Sequence, residues 1–229
     1  MRAMILSAGR GERMRPLTDT LPKPLLQVGG KPLIVWHLER LARAGFKEVV
    51  INHAWLGHLI ESTIGSGRQY GLSIRYSAEA VALETAGGIA TALPLLGEDP
   101  FLVINGDVWC DWNVSNAIQV SERLIEDRLM GWLLLVPNPS HHPNGDFGLD
   151  QYSHASESAL PRFTFSGIGV YHPRMFDNVQ PGQPAKLAPL LRHEMSDRRI
   201  IGHIYQGTWM DIGTPQRLHD LDKALRSGQ

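Results

Sequence analysis

Four short apolar runs set the terms for the first half of the chain. They are AMILS over Ala3–Ser7, EVVIN over Glu48–Asn52, SIRYS over Ser73–Ser77 and FLVIN over Phe101–Asn105. Runs of this length suit strands, and near-continuous apolarity suits strands buried on both faces. Helical patterns separate them. Pro32 opens the first, Ile34, Leu38, Leu41 and Ala42 share one face, and Gly45 stops it. Trp55–Ile64 reads as a short helix closed by Gly65, and Gly87–Leu95 as a third helix with Pro94 near its end. Strand–helix alternation predicts a parallel sheet with right-handed crossovers. In such sheets ligands lie at the carboxyl ends of strands. Ser7–Arg15 and Gly106–Asp107 occupy that place.

The second half is less regular. Val114–Asp127 reads as a helix, Trp132–Val136 (WLLLV) as a strand, and Pro137–Asp150 as a loop rich in Asn, Pro, Gly and His. Phe163–Tyr171 (FTFSGIGVY) reads as a strand whose two internal glycines point to close backbone approach. Thr214 and Pro215 form an N-cap and first-turn pair, and Leu218, Leu221 and Leu225 share one face of the helix that follows. A length of 229 residues suits one α/β domain burying roughly 70% of its unfolded surface. No internal repeat and no hexapeptide β-helix pattern occurs.

Charge narrows the partners. Lys and Arg number 22 against 23 Asp and Glu, a formal net charge of −1. That balance gives no electrostatic case for nucleic acid or a membrane surface, so an anionic partner must be held by local groups. The single cysteine, Cys110, excludes an intrachain disulfide, and no Cys/His cluster has zinc spacing. The apolar start breaks at Gly9 and is followed by Arg10, Arg13 and Arg15, which does not fit a secretory signal. No stretch approaches the roughly 20 apolar residues of a membrane span. The expectation is a soluble, cytoplasmic protein, monomeric or a small homo-oligomer.

Four segments could carry chemistry. Ser7-Ala8-Gly9-Arg10-Gly11-Glu12-Arg13-Met14-Arg15 follows a strand. It is either a tight turn with surface arginines or a phosphate cradle of glycine amides with forked donors from Arg13 and Arg15. Met14 stands where the dinucleotide fingerprint needs its third glycine, and no Gly-Lys-Ser/Thr follows as a P-loop requires. Pro22 and Pro24 stiffen the backbone around Lys23, for a phosphate or simply for a rigid turn. Asn105-Gly106-Asp107 delivers a carboxylate to a strand end, and Asp211 precedes a glycine turn and a capped helix. Each aspartate either caps its own turn or, if the two meet, shares a hard cation such as Mg²⁺.

LSAGRGERMRPLT, PKPLL, ETAGG, the aspartate of NGD, FSGIGVY and WMDIGTP occur here in one order. Together they resemble the sugar-1-phosphate nucleotidyltransferases, the nucleoside-diphosphate-sugar pyrophosphorylases, from about Met1 to Leu225. The resemblance implies a single Rossmann-like domain over 1–229, with a mixed, mostly parallel sheet flanked by helices (a GT-A-like nucleotidyltransferase fold). Its nucleotide-binding half covers about 1–112 and its sugar-binding half about 113–229. The implied reaction joins a sugar 1-phosphate to a nucleoside triphosphate with Mg²⁺ and releases pyrophosphate. The short chain and the HHPNGDFGL loop point to members that take UTP and N-acetylmuramate 1-phosphate in peptidoglycan recycling. The alternatives are mannose or glucose 1-phosphate with GTP, dTTP or UTP, or a non-catalytic nucleotide sensor.

Residue by residue, the resemblance implies that Gly9, Gly11, Glu12 and Arg13 lie along the triphosphate, with Arg15 close by and Lys23 also on phosphate. Asp107 and Asp211 would hold the metal. Glu79 would meet the base edge, accepting the N3–H of uracil, while Ala8, Gly87 and Gly88 pack on base and ribose. Asn105, Gly148 and Ser140 would meet the sugar. One departure stands out. Many relatives carry a Glu-Lys-Pro segment whose lysine binds the sugar phosphate, yet no lysine occurs here between Asp150 and Phe163. Arg162 and Lys186 are the candidate replacements for the lysine, and Glu157 for the acid. His141 and His142 read as loop or substrate-contact residues.

Overall fold

A computed structural model describes residues 1–227; residues 228 and 229, the end of the expected domain, lie outside the described residues. All four apolar runs are strands of one seven-stranded sheet. Its order is Ile200–Ile204, Gly131–Val136, Thr164–Tyr171, Phe101–Asn105, Ala3–Ser7, Glu48–His53, Ser73–Ala78. The four strands of the first half run parallel, as alternation with helices requires. Thr164–Tyr171 runs antiparallel to both of its neighbours, and Ile200–Ile204 is parallel to Gly131–Val136. The sheet is therefore mixed and mostly parallel.

Alternation along each strand feeds two cores, one on each face. Ala3, Ile5, Val49, Ile51, Leu102 and Ile104 face one way, against helix α1 (Leu33–Arg43), whose Ile34, Leu38 and Leu41 are fully buried. Met4, Val50, Phe101 and Val103 face the other, against the helix Glu84–Leu96. A third, smaller cluster joins Met14, Val28, Leu33, Ile212 and Leu221, and so fastens the last helix to the segment after the first strand. That helix, Pro215–Ser227, starts as its sequence predicts: Thr214 Oγ1 accepts the Arg217 N–H at 3.4 Å. Among the described residues no helix is long and apolar enough to cross a membrane.

Several boundaries differ from the sequence reading. The second helix starts at Gly57 rather than Trp55, because Leu56 takes a left-handed conformation (φ 52°) that ends the preceding turn. The third starts at Glu84, ahead of its glycines. The Pro137–Asp150 loop ends in a short strand, Gly148–Leu149, paired with Ala155–Ser156. Helix Leu187–Ser196 and strand Ile200–Ile204 escape the sequence reading. The helix carries a proline in its first turn and a weak apolar stripe, and the strand's apolar run is broken by Gly202 and His203.

The glycines of FTFSGIGVY do serve close approach. Gly167 sits at φ +79°, and a Cβ there would lie 2.6 Å from Asn105 Nδ2; at Gly169 it would lie 2.5 Å from the Tyr171 hydroxyl. That hydroxyl is fully buried and has no hydrogen-bond partner among the described residues. Because a buried unpaired polar atom costs about 1–3 kcal/mol, Tyr171→Phe is expected to leave stability unchanged or raise it by about 1 kcal/mol in urea unfolding. A loss of more than about 1 kcal/mol would show that the hydroxyl has a stabilising partner.

Candidate functional site

A cleft of about 460 Å³ opens at the carboxyl ends of strands Ala3–Ser7 and Phe101–Asn105. Ala8, Gly9, Gly11, Glu12 and Arg13 line it from the first loop, and Lys23, Asn105 and Asp107 from the other side. The glycine turn is fixed from outside. Gly11 sits at φ +70°, and its carbonyl accepts from the Thr18 hydroxyl at 2.8 Å and the Met14 N–H at 2.9 Å. A Cβ on Gly11 would lie 3.0 Å from Thr18 Cγ2. Met14 itself is fully buried in the small third cluster, so the position that lacks the dinucleotide-motif glycine plugs the core.

The arginines of this loop divide. Arg13 lines the cleft. Arg15 does not: it is exposed, and its Nε donates to Asp19 at 2.8 Å. Arg10 also pairs with Asp19, at 3.1 Å, and lies over the Trp55 ring, whose N–H donates to the Thr18 carbonyl.

Lys23 and Asp107 form an ion pair that lines the cleft, Nζ to Oδ2 at 2.6 Å, with Lys23 only 8% exposed. Behind Asp107 the chain enters a two-stranded antiparallel ribbon, Val108–Cys110 against Trp209–Asp211, with Asp211 opposite Val108. The Ile212 N–H donates to the Asp107 carbonyl at 2.7 Å. Both aspartates therefore stand at one end of the ribbon, which sequence alone left open. Arg40, from α1, braces the ribbon by donating to the carbonyls of Cys110 and Trp112. The Trp209 indole donates to the Ser166 carbonyl at 2.9 Å. Asp211 Oδ1 lies 3.1 Å from His141 Nε2, and Oδ2 contacts Arg217 Nη1. Gly213 lines the cleft beside them; a Cβ there would lie 3.1 Å from Asp211 Oδ2 and 3.2 Å from Arg13 Nη2.

These residues fit a small hard cation. Two partly exposed carboxylates are carried at one ribbon end, and Asp107 Oδ1 makes no hydrogen bond among the described residues. Among those residues no group of three or more His, Cys, Asp or Glu converges as an all-protein cage. Mg²⁺ prefers one or two carboxylates completed by phosphate oxygens and waters, which is what such a pair offers. Cys110 offers nothing as a nucleophile. Burial pushes its thiol up to about 11.

Glu79 lies behind the cleft wall. Its Oε1 accepts from Asn52 Nδ2 at 2.7 Å and its Oε2 from the Leu83 N–H at 2.9 Å, while Asn52 Oδ1 accepts the Ser7 N–H. Asn52 lines the cleft and is a residue the sequence reading passed over, although a polar side chain ending the apolar run EVVIN was a visible signal. Gly88 packs on this pair, since a Cβ there would meet Glu79 Oε1 at 2.7 Å. Gly87 packs on the Gln183 carbonyl, 2.2 Å from the corresponding point, and neither glycine lines the cleft. Gly148 is covered by the Ala159 backbone, and Ser140 is exposed on the loop beside His141. Arg162 turns to the Glu157 carbonyl, and Lys186 is exposed at the start of Leu187–Ser196.

The nucleotidyl transferase family profile matches residues 2–228. The chain is 56% identical to N-acetylmuramate alpha-1-phosphate uridylyltransferase from Neisseria meningitidis serogroup B, covering 96% of each chain. It is 35% identical to the protein of the same name from Caulobacter vibrioides, over 93% of this chain and 92% of that one. Among solved structures, UDP-glucose pyrophosphorylase complexed with UDP-glucose superposes with a TM-score of 0.77 at 20% identity, over 100% of this chain and 99% of that one. At that identity the likeness speaks for the fold.

His37 lies behind Asp107 and Val108 on α1. Burial first, and the Arg40 charge second, push its imidazole down to about 4, against weaker opposing pulls from Asp107 and the Val108 backbone. The unfolded chain takes up this proton below its ordinary value of 6.5 and the folded chain only near 4, so stability falls as pH drops through that window. From pH 7 to 5 this group is expected to remove about 2 kcal/mol. His37→Leu should lose correspondingly less in urea unfolding across that range, and equal losses would contradict a neutral buried imidazole.

Proposed function

The chain belongs to the nucleotidyl transferase family, and from that membership we propose that it transfers a uridylyl group from UTP to N-acetylmuramate 1-phosphate, giving UDP-N-acetylmuramate and pyrophosphate. Identity of 56% over nearly the whole of both chains supports the choice of substrates. The observation that supports the chemistry is that Lys23 and Asp107 pair at one cleft while Asp211 stands at the ribbon end that Asp107 enters.

In this reading residues of about 1–112 serve the nucleotide and those of about 113–229 the sugar. Ala8, Gly9, Gly11, Glu12 and Arg13 face the triphosphate. Glu79, through Asn52, shapes the base side together with Gly87 and Gly88. Asn105, Ser140 and Gly148 belong to the sugar side. Arg15 acts from outside, through its pairing with Asp19. Asp107 and Asp211 would hold Mg²⁺, which supplies charge neutralisation on phosphate oxygens.

An oxygen of the sugar phosphate attacks the α-phosphorus in line. The new P–O bond forms as the bond to the pyrophosphate oxygen breaks, and the electron pair leaves with pyrophosphate. No covalent enzyme intermediate is needed. Two mutually repelling anions must be aligned and equatorial charge stabilised, which is work for fixed amides, Arg13 and Lys23. Lys23 suits this because burial and its flanking prolines hold the ammonium in one place.

Pyrophosphate release with UTP, GTP and dTTP against a panel of sugar 1-phosphates tests the assignment. The UTP and N-acetylmuramate 1-phosphate pair should be the best substrate, and a better rate with another pair would overturn it. Asp107→Ala and Asp211→Ala should each lower turnover by about 10²-fold or more with little change in the unfolding midpoint. Wild-type turnover in either variant would remove that residue from the site.

A further inference from the structure

Beside Asp211, next to the Gly213 that lines the cleft, stands a cation that neither motif nor mechanism has used. Arg217 stands in the first turn of the Pro215–Ser227 helix. Its Nη1 contacts Asp211 Oδ2 and lies 3.2 Å from His141 Nε2 and 3.3 Å from the Asp211 carbonyl. All of its contacts run through this one nitrogen. Nε and Nη2, three N–H donors in a rigid fork, make no hydrogen bond among the described residues, although the side chain is only 21% exposed.

Arg13 lines the cleft nearby: its Nη2 and the Asp211 Oδ2 lie 3.2 and 3.1 Å from the point where a Gly213 Cβ would sit, and Arg13 makes no ion pair among the described residues. A second guanidinium thus stands near the Asp211 carboxylate. His141 reaches the same carboxylate from the Pro137–Asp150 loop, and that loop is anchored to the sheet: Asp146 Oδ2 accepts the Phe165 N–H at 2.8 Å, and Asn138 Oδ1 accepts from the Thr164 hydroxyl at 2.9 Å. Both supports hold the guanidinium still while leaving its fork open. A forked donor held this way is suited to two oxygens of one phosphate or carboxylate.

We propose that Arg217, braced by Asp211 and His141, binds an anionic group of the sugar 1-phosphate. The assignment rests on the uridylyl-transfer reading above. It explains how the chain manages without a lysine between Asp150 and Phe163, since Arg162 is engaged with Glu157 and turned elsewhere. N-acetylmuramate 1-phosphate carries two such groups, the phosphate and the lactyl carboxylate; N-acetylglucosamine 1-phosphate carries only the phosphate.

Steady-state kinetics of the whole chain with saturating Mg²⁺ separates the outcomes. Arg217→Gln should raise the KM for N-acetylmuramate 1-phosphate by about 10- to 100-fold, the loss of a charged hydrogen-bonded contact, with the KM for UTP changed less than about twofold. Arg217→Lys, which keeps the charge and loses the fork, should fall between. It also carries the test if the glutamine variant fails to fold. Inhibition by N-acetylglucosamine 1-phosphate names the source: weakened as much by Arg217→Gln, the phosphate is the partner; unweakened, the carboxylate is. An unchanged sugar KM, or an equal rise in both KM values, overturns the proposal. A wild-type chain that releases no pyrophosphate from any pair would instead fault the reaction itself.

Discussion

The site depends on one short piece of antiparallel pairing, Val108–Cys110 with Trp209–Asp211. It joins the end of the fourth strand to the segment that precedes the last helix. The parallel sheet alone would leave Asp107 with Lys23 and the glycine turn, and Asp211 elsewhere. Three independent supports hold the ribbon: the Arg40 guanidinium on the carbonyls of Cys110 and, just beyond the ribbon, Trp112, the Trp209 indole on Ser166, and the cluster of Ile212 and Leu221 with Met14 and Leu33. Each comes from a different element, so the register that pairs the two aspartates is over-determined.

The cations are apportioned with similar economy. The chain as a whole is nearly neutral, and most of its arginines answer a local carboxylate. Arg10 and Arg15 share Asp19 and so shape the loop. Lys23 is held on Asp107, Arg217 on Asp211, and Arg13 faces the cleft without an ion pair among the described residues. A triphosphate and a sugar phosphate can therefore be received by a few fixed cations, without a basic surface that would draw in unrelated polyanions.

Much of this was legible in the sequence, and what was not has physical reasons. The four parallel strands and the capped last helix followed from apolar runs and from Thr214-Pro215, because local pattern dictates them. The glycine turn, Lys23 and Asp107 could be placed at one edge because strand ends fix where loops begin. Convergence of Asp107 with Asp211 is a long-range pairing of two three-residue strands, for which no local signal exists. The same holds for Glu79, whose carboxylate is turned to Asn52 and the Leu83 amide, and for Gly148, which meets the Ala159 backbone. Arg217 has no local signal in the sequence, and only the folded ribbon places it beside Asp211.

The central claim is that the ribbon makes one binding point from two aspartates far apart in sequence. Crystals grown with UTP and Mn²⁺ in place of Mg²⁺ test it through the anomalous signal of the ion. One strong peak is predicted at the cleft corner, within about 2.5 Å of a carboxylate oxygen from both Asp107 and Asp211. A peak touching only one of the two, or lying away from the ribbon end, would contradict the account.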